Sequence, residues 1–419
     1  MLHDMSTGGP VPIEAGSIAR IALIGNFLPR RCGIATFTTH VHDALRVRYP
    51  DIATDVYAMN DRGQAHDYPA AVVAAIAQDD IASYRQAAET ILRRGTDLIW
   101  VQHEFGIFGG PAGHHLLTIL EAAPLPLILT LHTVLAEPSV EQRLVMERLL
   151  RRASLVIVMA QRAESILRAT YGEQVGVVAV VPHGIPDRPY EEPALVRRCQ
   201  GWEDRPTIMT FGLLSPDKGI EAMIRAMPAI VKACPDITYR IVGATHPHLL
   251  AHEGEAHRER LVALACALGV ADHLRWDDRF VGEAELLELL AAADLYVTPY
   301  RNPAQITSGA LSYAAGLGKP IISTPYVHAE ELLADGRGCL VPFDDVDVLA
   351  ETVIRLLRDS ARRQAMARRI HLHSRGTVWT MMVARIVEAA RGRIFGAAMT
   401  DTVAARNLRM RRGMDLRAA

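Results

Sequence analysis

The sequence predicts an α/β protein made of two doubly wound, mostly parallel sheets. Short apolar runs of strand length alternate with longer segments of helical period along both halves of the chain. Between the halves lies the stretch from Pro186 to Pro206, rich in proline and charge and without an apolar period, which reads as an interdomain connection with room for one helical turn. The 419 residues, 50% of them hydrophobic, are enough for a separate core in each half.

Composition excludes several function classes. Lysine and arginine total 45 against 47 acids, a formal charge of −2, so the basic stripe of nucleic-acid-binding proteins is missing. The five cysteines are scattered, odd in number and without a Cys-x-x-Cys pair, which suits reduced thiols rather than a disulfide framework or a zinc site. Residues 1–18 lack a basic segment followed by an apolar run and read as a loose tail rather than a secretory signal. The longest apolar runs, such as Leu125 to Leu131, fall far short of the roughly 20 residues of a spanning helix. The expectation is a cytoplasmic protein with no transmembrane segment, peripheral membrane contact through its arginine-rich last helices remaining open.

The first domain is expected at 19–190. The strand Ile21 to Gly25 leads through NFLPRRCG into a helix, and Gly33 near the turn lets a ligand approach backbone amides that favour phosphate. No GxGxxG follows the strand, so the dinucleotide fingerprint is absent. Arg30 and Arg31 add charge to the loop. Further strands are expected at Thr54–Ala58, Asp97–Gln102, Leu127–Leu131, Leu155–Met159 and Val177–Val181, giving a Rossmann-like sheet. Two strand ends carry polar groups. His103 and Glu104 leave the sheet ahead of a glycine-rich loop, and His132 follows LILTL directly, both at the edge where ligands of such sheets bind.

After a linker at 191–205, the second domain is expected at 206–376. Its strands are Thr207–Phe211, Tyr239–Val242, Leu274–Trp276, Asp294–Thr298, Lys319–Ser323 and Gly338–Leu340. The first runs into FGLLSPDKGIEAM, a glycine turn with Lys218 before a helix; it is not a Walker loop, because Gly219 stands where a magnesium-binding Ser or Thr is needed. Asp294–Ser323 forms a strand-helix-strand unit whose helix, expected from Thr307 to Gly316, offers the amides of Thr307, Ser308 and Gly309 to phosphate oxygens. His248 and His252 share a helix face with acids nearby, yet no HExxH-type signature is present, so a polar face is expected and no metal site. A helix at 377–395, with Trp379, Met382, Ile386 and Val387 as its apolar face, precedes a basic tail at 396–419 that lacks a core pattern.

With these segments in hand, the chain resembles retaining, nucleotide-sugar-dependent glycosyltransferases of family 4. Gly212, Lys218 and Gly219 match the Gly-Arg-Leu-x-x-x-Lys-Gly segment, Leu213 standing at the arginine. Ala314, Gly318 and Pro320 match the end of the Glu-x7-Glu signature, whose two acids are here Gln305 and Tyr313. VPHGIP, with His183, resembles the Pro-Asn-Gly turn that leaves the first domain. The resemblance implies the GT-B fold, two Rossmann-like domains facing a central cleft with the last helix crossing back to the first. It implies donor binding by Gly33, Gly212, Lys218, Gln305, Thr307, Ser308, Gly309 and Tyr313, and catalytic roles for His132, Lys218 and Gln305. His103 and Glu104 would lie on the acceptor or sugar side. Arg301, Arg30 or Arg31 would supply the charge missing at Leu213.

The implied activity is transfer of a sugar from a nucleoside-diphosphate sugar to a saccharide or glycosylated acceptor, in polysaccharide or glycoconjugate synthesis, with no cofactor. Two alternatives accompany it. Loss of both acids and the arginine suits a catalytically weakened binding or scaffold protein. A nucleotide-sugar epimerase of the same fold would need a general base, for which His103, Glu104 and His132 are the candidates.

Overall fold

The structure is a computed structural model that describes residues 18–61, 63 and 65–392. The expected tails therefore lie outside the described residues apart from Ile18, as does the side chain of His248. The chain forms two compact units, one of residues 18–182 with 379–392 and one of residues 183–378.

Seven strands make the first sheet: β1 (Arg20–Gly25), β2 (Ala53–Asn60), β3 (Val72–Ala77), β4 (Leu98–His103), β5 (Leu127–Leu131), β6 (Leu155–Val158) and β7 (Val178–Val180). Their order is β3-β2-β1-β4-β5-β6-β7, parallel throughout. Central strands covered on both faces need unbroken apolar runs rather than alternation, and β4, β5 and β6 are buried at every residue. The chain builds outward from β1 to β3 and then returns to place β4 on the other side of β1. That reversal is a topological switch point, where the loops leaving adjacent strands diverge and open a crevice. Leu23 pairs with Trp100 and Ile24 with Val101, so the loop after β1 and the end of β4 emerge side by side.

The second unit repeats the plan. Its strands are β8 (Thr207–Phe211), β9 (Thr238–Val242), β10 (Leu274–Asp277), β11 (Leu295–Thr298), β12 (Ile321–Ser323) and β13 (Cys339–Leu340), ordered β10-β9-β8-β11-β12-β13 and parallel. Here the switch point lies between β8 and β11. The helices Ile220–Ala233 and Val346–Arg358 seal one face through Met223, Ile224, Met227, Val353 and Leu356.

Two local features depart from the sequence expectations, and one agrees with them. β3 was not foreseen, because its alanine-rich segment VVAAIA carries a helix former at every second or third place and only tertiary pairing with β2 makes it a strand. The expected linker contains the helix Pro193–Cys199, anchored by buried Arg197, which bonds Asp294 Oδ2 at 2.8 Å and the Ala292 carbonyl at 2.7 Å. A charge pair is its packing anchor, so no apolar period marks it. The helix 379–392 belongs to the first unit, where the Trp379 indole stacks on His40 with centroids 5.0 Å apart and meets Phe37 edge-on at 5.1 Å. Its Met382, Ile386 and Val387 are buried, which removes that face from any membrane contact. Among the described residues no helix is long and apolar enough to cross a membrane.

Candidate active site

The switch point of the second unit gathers most of the expected donor-binding residues. The turns after β8 and β9 each hold a residue at a φ that favours glycine. Gly212 and Gly243 have φ of 136° and 140°, and a Cβ on Gly243 would stand 2.0 Å from the Gly212 carbonyl oxygen. Gly219 is left-handed at φ 61°, and a Cβ there would lie 1.9 Å from the carbonyl oxygen of Pro299. Arg301 N donates to the Asp217 carbonyl at 2.9 Å, so the Lys218 turn is pressed against the chain leaving β11. Lys218 projects its ammonium over the Tyr300 ring, 4.0 Å from the centroid. Among the described residues no carboxylate pairs with that ammonium and no acceptor takes its hydrogen. Leu213 supplies no charge, and Arg301 reaches Asp344 at 3.3 Å.

The loop after β11 differs from expectation in one respect that matters. The helix begins at Gly309 rather than Thr307, with Ser308 as its cap, accepting from Leu311 N at 3.2 Å. The Ser308 N–H donates to His328 Nδ1 at 2.9 Å. His328 is buried and burial pushes its pKa down to about 3, so the ring is neutral and Nδ1 carries the lone pair. The Ser308 amide is therefore already spent, and the expected trio of phosphate donors loses its middle member. The Gln305 carboxamide folds back to the Thr307 carbonyl at 3.0 Å, and the Thr307 hydroxyl is buried. Over Gly309 stands His183, whose Nε2 is 3.1 Å from where a Cβ would be and whose Nδ1 donates to the Gly184 carbonyl at 2.6 Å.

Tyr313, at the place of a family acid, is 5% exposed and donates its hydroxyl to Glu283 Oε1 at 3.2 Å. Glu283 opens the helix Glu283–Ala292 and is exposed. A carboxylate thus reaches the Tyr313 hydroxyl from another element, which no spacing within the motif could show.

At the switch point of the first unit the polar groups are largely committed to one another. Cys32 caps the helix Gly33–Arg48, and a Cβ on Gly33 meets nothing within 4 Å, so no protein atom demands glycine there. Arg30 bonds Asn26 Oδ1 at 2.7 Å and Asp61 Oδ1 at 2.6 Å, both within this unit. His103 does not leave the sheet. It is the last residue of β4, fully buried between Phe105 and Phe108, with neither ring nitrogen partnered among the described residues and its pKa pushed by burial to about 3. The apolar cage explains the difference from expectation: a neutral imidazole packs there as an aromatic ring. Glu104 does emerge, and it accepts from Phe105 N at 2.9 Å and from the Thr133 hydroxyl; burial raises its pKa. His132 follows β5, its Nε2 at 3.1 Å from Gln102 Oε1 and its ring edge-on to Phe37 at 4.7 Å. Because that carboxamide oxygen only accepts, Nε2 carries the hydrogen.

Residues 205–359, which hold the Lys218 turn, Gln305, Tyr313 and Glu283, match the family model of Glycosyl transferases group 1. The match lies within the second unit. A GDP-mannose-dependent alpha-(1-6)-phosphatidylinositol monomannoside mannosyltransferase of Mycolicibacterium smegmatis is 29% identical over 262 residues, 60% of this chain and 65% of that protein. A GDP-mannose-dependent monoacylated alpha-(1-6)-phosphatidylinositol monomannoside mannosyltransferase of Corynebacterium glutamicum is 30% identical over 207 residues, 47% of this chain and 50% of that one. The chain thus spans less than two thirds of the length of either relative. Among solved structures, a sucrose-phosphate synthase from Thermosynechococcus elongatus superposes with a TM-score of 0.72 at 18% identity, covering 90% of this chain and 99% of that one. HepE of Anabaena, in complex with UDP and glucose, gives 0.69 at 18% identity, covering 88% and 98%. The second unit and the unit before it together have the GT-B fold.

Proposed function

We propose that this protein is a retaining glycosyltransferase that moves a hexose from a nucleoside-diphosphate sugar to a saccharide or lipid-linked glycan acceptor, in polysaccharide or glycoconjugate synthesis in the cytoplasm. The observation that carries the proposal is the Lys218 ammonium, unpaired with any acid among the described residues and held at the switch point of a group 1 domain. A half-buried cation without a counter-ion is costly unless an anionic ligand completes it, and a diphosphate is the anion such a domain would bind. The names of the relatives make GDP-mannose the first donor to test, and the UDP bound by a structural neighbour makes a UDP-sugar the second.

In the proposed reaction the bond between the anomeric carbon and the diphosphate oxygen breaks, and the diphosphate leaves with the electron pair. Lys218 and the amide of Gly309 stabilise the charge that develops on it. The acceptor oxygen forms the new bond on the face the diphosphate vacates, and its proton passes to the leaving phosphate, so no side-chain nucleophile is needed. His132 and Gln305 would orient the sugar. Glu283, held by Tyr313, would accept from the ribose diol in place of the acid the motif lacks. His103, buried and with its pKa pushed down to about 3, is a weak general base for an epimerase, which favours Glu104 and His132 for that alternative.

The test is incubation of the protein with GDP-mannose or UDP-glucose, with and without mannoside and phosphatidylinositol-glycan acceptors. The expected result is acceptor-dependent release of nucleoside diphosphate and a product retaining the donor's anomeric configuration by NMR. Donor binding with no release, from any donor-acceptor pair, would favour the binding or scaffold protein instead.

A further inference from the structure

The residue beneath Lys218 has no counterpart among the expected site residues. Tyr300 follows β11 in the loop pressed against the Lys218 turn, and it is fully buried. The Lys218 ammonium lies 4.0 Å from the centroid of its ring, and the Tyr326 ring stacks on it with centroids 5.2 Å apart and planes within 16°. The Tyr300 hydroxyl is buried and has no partner among the described residues. A phenol selected for its hydroxyl would have that group bonded or exposed; here only the ring makes contacts. Tyr326 in turn donates toward Thr298 Oγ1 at 3.5 Å, and Thr324 bonds the Tyr300 carbonyl, so the stack is tied to the sheet from both of its members.

We propose that Tyr300 is the positioning residue of Lys218, its ring face standing where an acidic counter-ion would otherwise sit. This rests on the donor-site reading of the previous subsection. A carboxylate beside Lys218 would orient the ammonium but also neutralise it, and would repel an incoming diphosphate. The negative face of an aromatic ring orients the ammonium while leaving its formal charge intact. The backbone enforces the same geometry: Gly219 lets the turn approach Pro299 closely, and the bond from Arg301 N to the Asp217 carbonyl closes the loop on Tyr300's other flank. With Leu213 in the site, the ring-held lysine carries the diphosphate recognition of this turn by itself.

The test is calorimetric titration of GDP, UDP, guanosine and uridine into the parent protein and into Tyr300→Phe, Tyr300→Leu and Tyr300→Met, in parent and Lys218→Met backgrounds. Tyr300→Phe keeps the ring and is expected to bind diphosphates as the parent does. Tyr300→Leu and the more pliable Tyr300→Met are expected to lose about tenfold in diphosphate affinity. Nucleoside binding should not change, and in the Lys218→Met background neither substitution should cost anything further. Parent-like diphosphate affinity in both aliphatic variants would overturn the positioning role alone. So would an equal loss of nucleoside affinity, or a loss that persists without Lys218, since either marks a merely structural ring. A parent protein that binds no diphosphate at all overturns the donor site and this role together.

Discussion

The two units solve the same topological problem and use the result differently. Each reverses strand order beside its central strand and opens a crevice there, and each buries a histidine near the carboxyl edge of its sheet. In the first unit, polar groups at that edge are mated internally: Arg30 with Asp61, Glu104 with Thr133, His132 with Gln102, while the His103 ring nitrogens have no hydrogen-bond partner among the described residues. In the second unit, His328 holds the Ser308 amide and Lys218 is unpaired with any acid among the described residues. The same plan therefore leaves polar groups paired within the first edge and a cation without an acidic partner at the second, among the described residues.

The loop glycines give the sharpest break between the units. Gly219→Ala combines a left-handed φ with a 1.9 Å approach to Pro299 O and is expected to lower stability by about 3 kcal/mol or more. Gly33→Ala, in open space at the start of a helix, should stay within about 0.5 kcal/mol of the parent. Urea denaturation of both variants checks this, and an equal cost would erase the distinction.

Removing the unpaired cation comes next. Lys218→Ala is expected to weaken nucleoside-diphosphate binding by about 2 kcal/mol, the range of a charge-assisted bond. Glu104→Gln in the first unit should leave that affinity unchanged in the same titration.

Acid should expose the buried histidines. Both His103 and His328 have pKa values lowered to about 3. The unfolded chain, with histidine near 6.5, binds the extra protons first, so stability is full above about pH 6.5 and falls as pH drops toward 3. At pH 5 each contributes a loss of about 2 kcal/mol, and replacing either should flatten the profile. At neutral pH the pair should separate. His103→Leu has no hydrogen bond to lose, whereas His328→Leu strands the Ser308 N–H at about 1–3 kcal/mol. Similar costs for the two would contradict the difference drawn between them.

Much of the fold was legible because parallel strands buried on both faces must be written as short apolar runs, and those runs alternate with helices along most of the chain. β3 escaped because its alanines carry no strand signal without β2 beside them, and the helix Pro193–Cys199 was foreseen only as a single turn because Arg197 and Asp294, nearly a hundred residues apart, replace an apolar anchor. In the site, local geometry was readable: Gly212, Lys218 and Gly219 form a turn in which Gly212 takes a positive φ and Gly219 closely approaches the Pro299 backbone. Partners supplied from elsewhere were not. His328 on the Ser308 amide, Glu283 on Tyr313 and Tyr300 beneath Lys218 each join segments whose meeting depends on strand order. His103 misled for the opposite reason, since a histidine at a strand end looks the same in sequence whether it faces solvent or a phenylalanine cage.

The central claim is that the second unit is charged for a diphosphate through Lys218. The most direct measurement is titration of GDP and UDP against guanosine and uridine at two salt concentrations, with the parent and Lys218→Met. Diphosphates binding more tightly than their nucleosides, by a margin that shrinks with salt and collapses in Lys218→Met, is the predicted result. Equal affinity for diphosphate and nucleoside, or a margin that Lys218→Met leaves intact, would contradict it.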